Sequence, residues 1–180
     1  MSDAADRSGP GLVRALFPWL GRSRAAVAPG RLEDIFVAAE AGGPVERRVQ
    51  ARALAGAGLE GDRYAAGRGH WRRTDACEVT LVTAEDLGRA ERRGGLGFGA
   101  GEHRRNLVVS GIPLAAFANR TVRIGDAVFA FHRLRPPCGY LDRLVGRGAG
   151  KALGRGAGIG LRVVHGGLLR VGDRVEIVDG

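Results

Sequence analysis

The chain has 180 residues, enough for one domain with a core of useful size, and its hydrophobic fraction of 44% is typical of a globular protein. No apolar stretch approaches the roughly 20 residues that a bilayer-spanning helix needs, so we expect no transmembrane segment. The net charge is +9, but only Lys151 among the 28 basic residues is a lysine, which indicates a genome-wide preference for arginine. No basic helix, aromatic-rich sheet or Cys/His finger accompanies the charge, so we expect no nucleic-acid partner.

Residues 1–30 are predicted to form an extension that precedes a single domain at residues 31–180. Apolar residues stand at near-helical spacing in this extension, with arginines between them: Leu12, Val13, Leu16, Phe17, Trp19 and Leu20. Pro18 and Gly21 limit any helix there to a couple of turns. The extension can pack on the domain, lie against a membrane surface or be disordered. It lacks the apolar core of a secretory signal, so we expect a cytoplasmic protein.

After the extension, the pattern becomes rich in β-structure. A short strand is predicted at 35–37, a turn at 42–44 and a returning strand at 45–54. A long loop follows at 56–75, and it leads into another strand at 79–82. The spacing of apolar residues and glycine turns here favours strands over helices.

The best helix candidate begins after Thr83, and residues 112–117 are predicted to form a turn or a single helical turn. Thr83 can cap its first turn, where Glu85 and Asp86 complement the helix dipole. Gly94 and Gly95 end it. Further short strands are predicted at 106–110, 122–124, 127–134, 161–164 and 175–178. With 31 glycines, this pattern predicts a mainly β protein, a closed or folded-over β-barrel with a few short helices.

Cys138 is the residue that most strongly suggests a function. It lies in a short loop at 133–139 (RLRPPCG), after an apolar run. Neighbouring cations stabilise the thiolate, which is the form that attacks electrophiles and binds metals, and the two prolines stiffen the loop. The surplus of basic residues from 133 to 155 favours an anionic ligand. The pattern predicts a nucleophile, a persulfide carrier or a metal ligand; the alternative is a small buried core residue.

Three other strings contain candidate binding residues: Asp62 and Arg63, the triplet Arg104, Arg105 and Asn106, and Arg155. The first pair lies in a glycine-containing loop, where the carboxylate can accept from a ligand N–H or tie down its own loop. In the triplet, arginine forks match phosphate or carboxylate and the amide suits the edge of a heterocycle, although a solvated pair of charges is the alternative. The last lies in a glycine-rich run that can wrap an anion or serve as a flexible crossover.

The remaining polar candidates are interpreted as structural. His70, His103, His132 and His165 show no metal-ligand spacing, so each is read as a surface or satisfied structural histidine. Cys77 precedes an alternating strand and reads as part of it. No G-x-S-x-G elbow marks a serine nucleophile.

In their order along the chain, these strings resemble the MOSC domain, named after the C-terminal domain of molybdenum cofactor sulfurases. The resemblance covers roughly residues 31 to 178 and is to the small, single-domain bacterial members. The matching strings are 58–64 (GLEGDRY), 78–82 (EVTLV), 104–109 (RRNLVV), 124–126 (IGD), 137–138 (PC), 154–156 (GRG), 166–167 (GG) and 171–173 (VGD).

The resemblance implies a MOSC-type β-barrel that handles molybdenum cofactor (molybdopterin) or transfers sulfur. In relatives that bind the cofactor, the cysteine matching Cys138 ligates molybdenum, as suits a soft thiolate. An Arg-x-Asn string that matches Arg104 and Asn106 helps to hold the pterin phosphate and ring, and the acid matching Asp62 lies nearby. We therefore predict Cys138 as catalytic residue and metal ligand, and as the cofactor-binding set Asp62, Arg63, Arg104, Arg105, Asn106 and Arg155.

This chain departs from the family pattern at two places. Tyr64 stands where many relatives carry histidine, so the resemblance implies no proton-transfer role there. Larger relatives have an additional N-terminal barrel that contributes to the site, whereas this chain has only about 30 residues before its own barrel. Its site is therefore expected to be more open or to be completed by a partner.

The resemblance implies three alternative functions. The one we expect is a molybdenum-dependent oxidoreductase that reduces an N-hydroxylated small molecule with electrons from a separate reductase, since the sequence carries no flavin or iron–sulfur motif. The second is a sulfurtransferase with a persulfide on Cys138 and a separate sulfur donor. The third is a non-catalytic cofactor carrier. Pyridoxal phosphate binding is an association of the family as a whole. A fourth class of function is an anion- or nucleic-acid-binding module, whose binding would depend steeply on salt and survive loss of the thiol.

Overall fold

The computed structural model describes residues 27–69, 77–137 and 139–178. Strands dominate these ranges, in this order along the chain: β1 (Gly30–Val37), β2 (Glu46–Arg48), β3 (Gln50–Leu54), β4 (Gly58–Leu59), β5 (Val79–Thr83), β6 (Leu107–Ser110), β7 (Thr121–Ile124), β8 (Ala127–Leu134), β9 (Ile159–His165), β10 (Gly167–Arg170) and β11 (Arg174–Val178). Three short α-helices lie in the same ranges: α1 (Ala84–Gly94), α2 (Gly139–Val145) and α3 (Ala149–Leu153). Single 3-10 turns occur at Leu114–Phe117 and Gly154–Gly156.

Seven of the described strands close into a barrel in the order β11-β7-β8-β9-β5-β6-β1, because β1 pairs with β11 as well as with β6. Neighbours are antiparallel except β5 and β6, which are parallel with Leu81 opposite Leu107. An odd number of strands cannot close with strictly alternating directions, so one parallel pair is required. The segment that contains α1 supplies the long crossover that such a pair needs. The predicted fold class, a mainly β barrel with a few short helices, is confirmed.

The interior of the barrel is an apolar core to which every strand of the closed sheet contributes. Side chains alternate between the two faces of a strand, so every second apolar residue points inward. One fully buried side chain from each strand illustrates this: Leu32, Leu81, Leu107, Ile124, Phe129, Ile159 and Val175. Loss of water from this surface is the main stabilising contribution to the fold.

The helix α1 begins and ends where its sequence predicts. The Thr83 hydroxyl accepts from the Asp86 N–H at 3.1 Å, and Gly95 ends the helix in the left-handed conformation with φ 62°. The buried face of α1, which includes Leu87, joins Leu153 of α3 in a second apolar cluster. This cluster also contains Val82 of β5, so the helices cover the outer face of the barrel there. The strand β5 is accordingly buried along its whole length.

The structure differs from the sequence prediction between 45 and 54 and after 138. The predicted single strand at 45–54 is two strands, β2 and β3, and the exposed Val49 lies at the break. The strand β2 extends the barrel sheet beyond β1, whereas β3 pairs with β4 and β10 in a separate small sheet. The helices α2 and α3 were not predicted, because glycines interrupt the apolar spacing in that region.

The domain boundary remains a prediction. The strand β1 starts at Gly30, which agrees with a domain that begins near residue 31. Residues 1–26 of the predicted extension lie outside the described residues. Among the helices that the structure describes, none is long and apolar enough to cross a membrane.

Candidate functional site

The Asp62 carboxylate anchors the loop that follows β4. It is 1% exposed and accepts from the backbone N–H groups of Ala38 and Tyr64, each at 3.0 Å. The Asn106 amide donates to the same carboxylate at 3.0 Å, and the Arg63 guanidinium at 3.2 Å. A buried carboxylate needs partners of this kind, because an unpaired charge out of water is costly. Asp62 therefore makes the contacts expected if it ties down its own loop, which was one of the two interpretations from the sequence.

Asn106 joins three parts of the fold through its side chain. Its Oδ1 accepts from the Thr80 N–H at 3.0 Å and from the Thr80 hydroxyl at 2.8 Å. Its Nδ2 donates to the Phe36 carbonyl at 3.1 Å and to the Asp62 carboxylate at 3.0 Å. These four bonds use both amide hydrogens and both lone pairs of the oxygen. Direct contact between this amide and a ligand would require one of them to break.

Arg104 occupies an unusual backbone position at the end of the loop before β6. Its φ is 60°, a left-handed value that costs energy for a residue with a side chain. Its N–H donates to the Gly101 carbonyl at 2.8 Å, and its guanidinium donates to the Gly43 carbonyl at 2.7 Å. Partial burial, followed by the nearby charge of Arg63, lowers the pKa of the Arg104 guanidinium from its ordinary value. Two guanidinium groups therefore lie near each other at a half-buried place, where Arg63 is also paired with the Asp62 carboxylate.

Cys138 lies outside the described residues, but the chain on both sides of it approaches Arg104. On one side, the Arg135 guanidinium donates to the Tyr64 hydroxyl at 3.5 Å. On the other side, Tyr140 lies near enough to Arg104 to influence its pKa, as Tyr64 does. We call Arg63, Tyr64, Arg104, Arg135 and Tyr140 the arginine–tyrosine cluster.

Two of the predicted cofactor-binding residues are not members of this cluster, although Arg105 contacts the backbone of its member Arg135. The Arg105 guanidinium donates to the Ala157 carbonyl at 2.6 Å and to the Arg135 carbonyl at 3.4 Å, so it holds backbone segments together. Arg155 is exposed and lines a separate open cleft of about 600 Å³ beside the start of α1. Among the described residues that line this cleft, none belongs to the arginine–tyrosine cluster. Their predicted contact with a cofactor remains a prediction.

The buried cysteine and a buried histidine complete the surroundings of the site. Burial raises the pKa of the Cys77 thiol to about 11, so this thiol stays protonated and behaves as a structural residue. His103 is 1% exposed, and its Nδ1 accepts from the Arg105 N–H at 3.0 Å. Its ring packs edge-on against Phe36, with ring centroids 5.2 Å apart. Burial, with a smaller effect of Arg105, lowers the pKa of His103 to about 3.

The depressed pKa of His103 predicts an acid-sensitive fold. In the unfolded chain the imidazole takes up a proton as pH falls below its ordinary 6.5, whereas in the folded chain it stays neutral to about 3. The unfolded state binds more protons in this window, so stability is lost as pH falls through it, by about 1.4 kcal/mol per pH unit. In His103→Asn, whose side-chain oxygen can also accept from the N–H two residues on, this loss should disappear.

The measurement is the free energy of unfolding of both proteins, from urea titrations across that pH window. The exposed His165→Asn is the matched control and should follow the wild type at every pH. A His103→Asn protein whose acid sensitivity equals that of the wild type would contradict the assignment.

The comparisons with known proteins agree with the barrel. A family model described as the MOSC domain matches residues 68–176, which is more than half of the chain. The chain therefore belongs to the MOSC family. Asp62 and Arg63 precede the matched segment, whereas Arg104, Asn106 and Cys138 lie within it.

Solved structures with the same fold are distant in sequence. The YuaD protein from Bacillus subtilis is 15% identical with a TM-score of 0.70, and the alignment covers 83% of this chain and 96% of that one. YiiM from Geobacillus stearothermophilus is 15% identical with a TM-score of 0.60, covering 83% and 75%. YiiM from Escherichia coli is 16% identical with a TM-score of 0.58, covering 83% and 70%. No curated protein matches the sequence.

Proposed function

We propose that this MOSC protein binds molybdenum cofactor and reduces an N-hydroxylated small molecule, with Cys138 as the protein ligand of the metal. The observation that carries the proposal is the position of Arg104. Its guanidinium lies half-buried beside Arg63, at the place that the described chain reaches from both sides of Cys138. A phosphate group and a metal centre of one cofactor would then be held by neighbouring parts of the chain.

The arginine–tyrosine cluster fits the anionic end of this cofactor. The lowered pKa of Arg104 reflects burial and repulsion from Arg63, and a bound phosphate would offset both. An arginine fork can donate two parallel hydrogen bonds to phosphate, which a lysine cannot. Two tyrosine hydroxyls at the edge of the cluster add further polar groups that can orient a ligand.

Asp62 and Asn106 support the site through the residues that they hold. Asp62 pairs with Arg63 and fixes the turn that carries Tyr64. Asn106 fixes that carboxylate against β1 and β5. We infer that both are positioning residues whose hydrogen bonds keep the arginines oriented before a ligand arrives. The cofactor would contact the arginines directly.

The Cys138 side of the site supplies the metal ligand. The thiolate form is the one that binds metal, and the basic residues around the loop favour it. When bound, the cofactor supplies the redox chemistry, with electrons from a separate reductase. The chain itself binds the anionic tail, offers the sulfur ligand and orients the substrate.

The proposal is tested by the metal content of the protein, purified from a host that makes the cofactor. Wild-type protein should carry molybdenum, and Cys138→Ser should carry severalfold less at unchanged folding, because the hydroxyl is a poorer ligand for a soft metal. Cys77→Ala is the matched control, since it removes the other cysteine and should retain the metal. Absence of molybdenum from the wild type would contradict the proposal, and cyanide-labile sulfur in its place would favour the sulfurtransferase. Turnover with an artificial electron donor would separate the reductase from a cofactor carrier.

A further inference from the structure

The cleft beside α1 has one apolar wall and one charged wall. The apolar wall is formed by Leu114 and Ala115 of the 3-10 turn, the residues just before the turn and Leu134. Leu134 is 63% exposed although it lines a concave surface. The charged wall contains two acids at the start of α1 and two arginines, which are Glu85, Asp86, Arg89 and Arg155. A cleft of about 600 Å³ with an exposed leucine is large enough for several side chains of a peptide segment.

The N-terminal end of the described chain runs along the rim of this cleft. A side-chain carbon on Gly30 would lie 2.9 Å from the Cγ1 of Ile112, and one on Gly111 would lie 3.7 Å from the Pro29 carbonyl. Gly111 and Ile112 both line the cleft. Val27, the first described residue, packs partly buried against the barrel core. The described chain at Pro29 and Gly30 therefore lies beside the residues that line the cleft.

We propose that residues 12–20 of this chain dock into the cleft. The segment contains six large apolar residues, including Trp19, and Arg14 as its charged residue. The six residues from 21 to 26 can span about 20 Å when extended, which is enough to fold the segment back over the cleft mouth. The apolar residues would cover Leu134 and the 3-10 turn. Arg14 would meet the carboxylate of Glu85, whose other role is to accept from the Gly111 N–H at 2.8 Å.

This inference is independent of the proposed cofactor function, because the cleft and the arginine–tyrosine cluster share none of the described residues. The occupant is the chain's own segment in the same molecule. Docking of the segment into a second copy, or onto a lipid surface, are outcomes that the experiment must distinguish. Both would leave Trp19 exposed to water in dilute protein without lipid.

The experiment uses the emission of Trp19 in the full-length chain, with Trp71→Phe to remove the second tryptophan. A docked indole should emit at shorter wavelength than free tryptophan and resist acrylamide. Leu134→Asp should shift the emission to longer wavelength and raise the quenching constant about twofold, because a charge in the apolar wall opposes burial. The matched control is Val164→Asp, at a β9 position that is 60% exposed and outside the cleft. It should change neither quantity.

Two results would overturn the inference. The first is water-like emission of Trp19 that Leu134→Asp does not alter. The second is protection of Trp19 that appears only as protein concentration rises or lipid vesicles are added, since an intramolecular contact is independent of both. As a second measurement, trypsin cleavage at Arg14 should be slower in the wild type than in Leu134→Asp, and equal rates would also contradict docking.

Discussion

Asn106→Asp is expected to destabilise the fold by on the order of 4 kcal/mol at neutral pH. The replacement keeps the oxygen that accepts from Thr80 but loses both hydrogens that the amide donates, to the Phe36 carbonyl and to Asp62. Two carboxylates would then face each other at the 3.0 Å separation now bridged by a hydrogen bond. Neither can be solvated there, because Asn106 and Asp62 are both buried. The measurement is the free energy of unfolding by urea titration.

Acid should partly rescue this variant. When one of the facing carboxylates takes a proton, it can donate to the other, so the pair carries one charge instead of two. The difference in stability between variant and wild type should therefore shrink between about pH 7 and pH 5. Asn119→Asp is the matched control, since it makes the same chemical change at an exposed position and should cost little at either pH. If Asn106→Asp lowered the free energy of unfolding as little as the control does, the buried hydrogen-bond network would contribute little to stability.

Arg104→Gly is expected to weaken retention of molybdenum cofactor roughly 10- to 100-fold while leaving the fold intact. The variant removes the guanidinium that is proposed to hold the phosphate. Glycine adopts the positive φ of this position without strain, so loss of the side chain is separated from backbone strain. Arg104→Lys keeps the charge but not the planar fork of donors, so its retention of molybdenum should lie between that of the wild type and that of Arg104→Gly. The readout is the rate at which molybdenum leaves the protein during dialysis.

Arg155→Gly is the matched control for this experiment. It removes an exposed arginine from the α1 cleft and should leave retention unchanged, because the structure places that residue apart from the arginine–tyrosine cluster. If Arg104→Gly retained molybdenum as well as the wild type does, Arg104 would not be a cofactor-binding residue. If Arg155→Gly lost as much molybdenum as Arg104→Gly, Arg155 would instead be a cofactor-binding residue, as the sequence predicts.

The features that could be predicted from sequence are those that local chemistry determines. Thr83 caps α1 because a hydroxyl three residues before an acid suits that position whatever surrounds it. The alternating strands could be predicted for the same reason, since the alternation of inward and outward side chains is visible in the order of neighbouring residues. The break at Val49 could not, because it depends on β3 leaving the barrel to pair with β10.

The relationships among the site residues depend on distant segments. Adjacent arginines 104 and 105 look equivalent in the sequence, yet one lies in the arginine–tyrosine cluster and the other donates to the Ala157 carbonyl. The sequence predicts Asn106 as an amide that suits the edge of a heterocycle, but β1 and β5 bring Phe36 and Thr80 to its side chain. His103 was interpreted from the sequence as a surface or satisfied structural histidine, and its burial beside the site could not be predicted. Its only signal is its place directly before the arginine pair.

The strands β1 and β11 meet over a short overlap. Just two residues of each are opposite one another, Gly30 with Val175 and Arg31 with Arg174. Local opening of a folded protein starts where the fewest interactions must be lost. Local opening of the barrel should therefore start at the β1–β11 pairing, which lies where the N-terminal residues join the domain. Whatever binds those residues would act directly on how often the barrel opens.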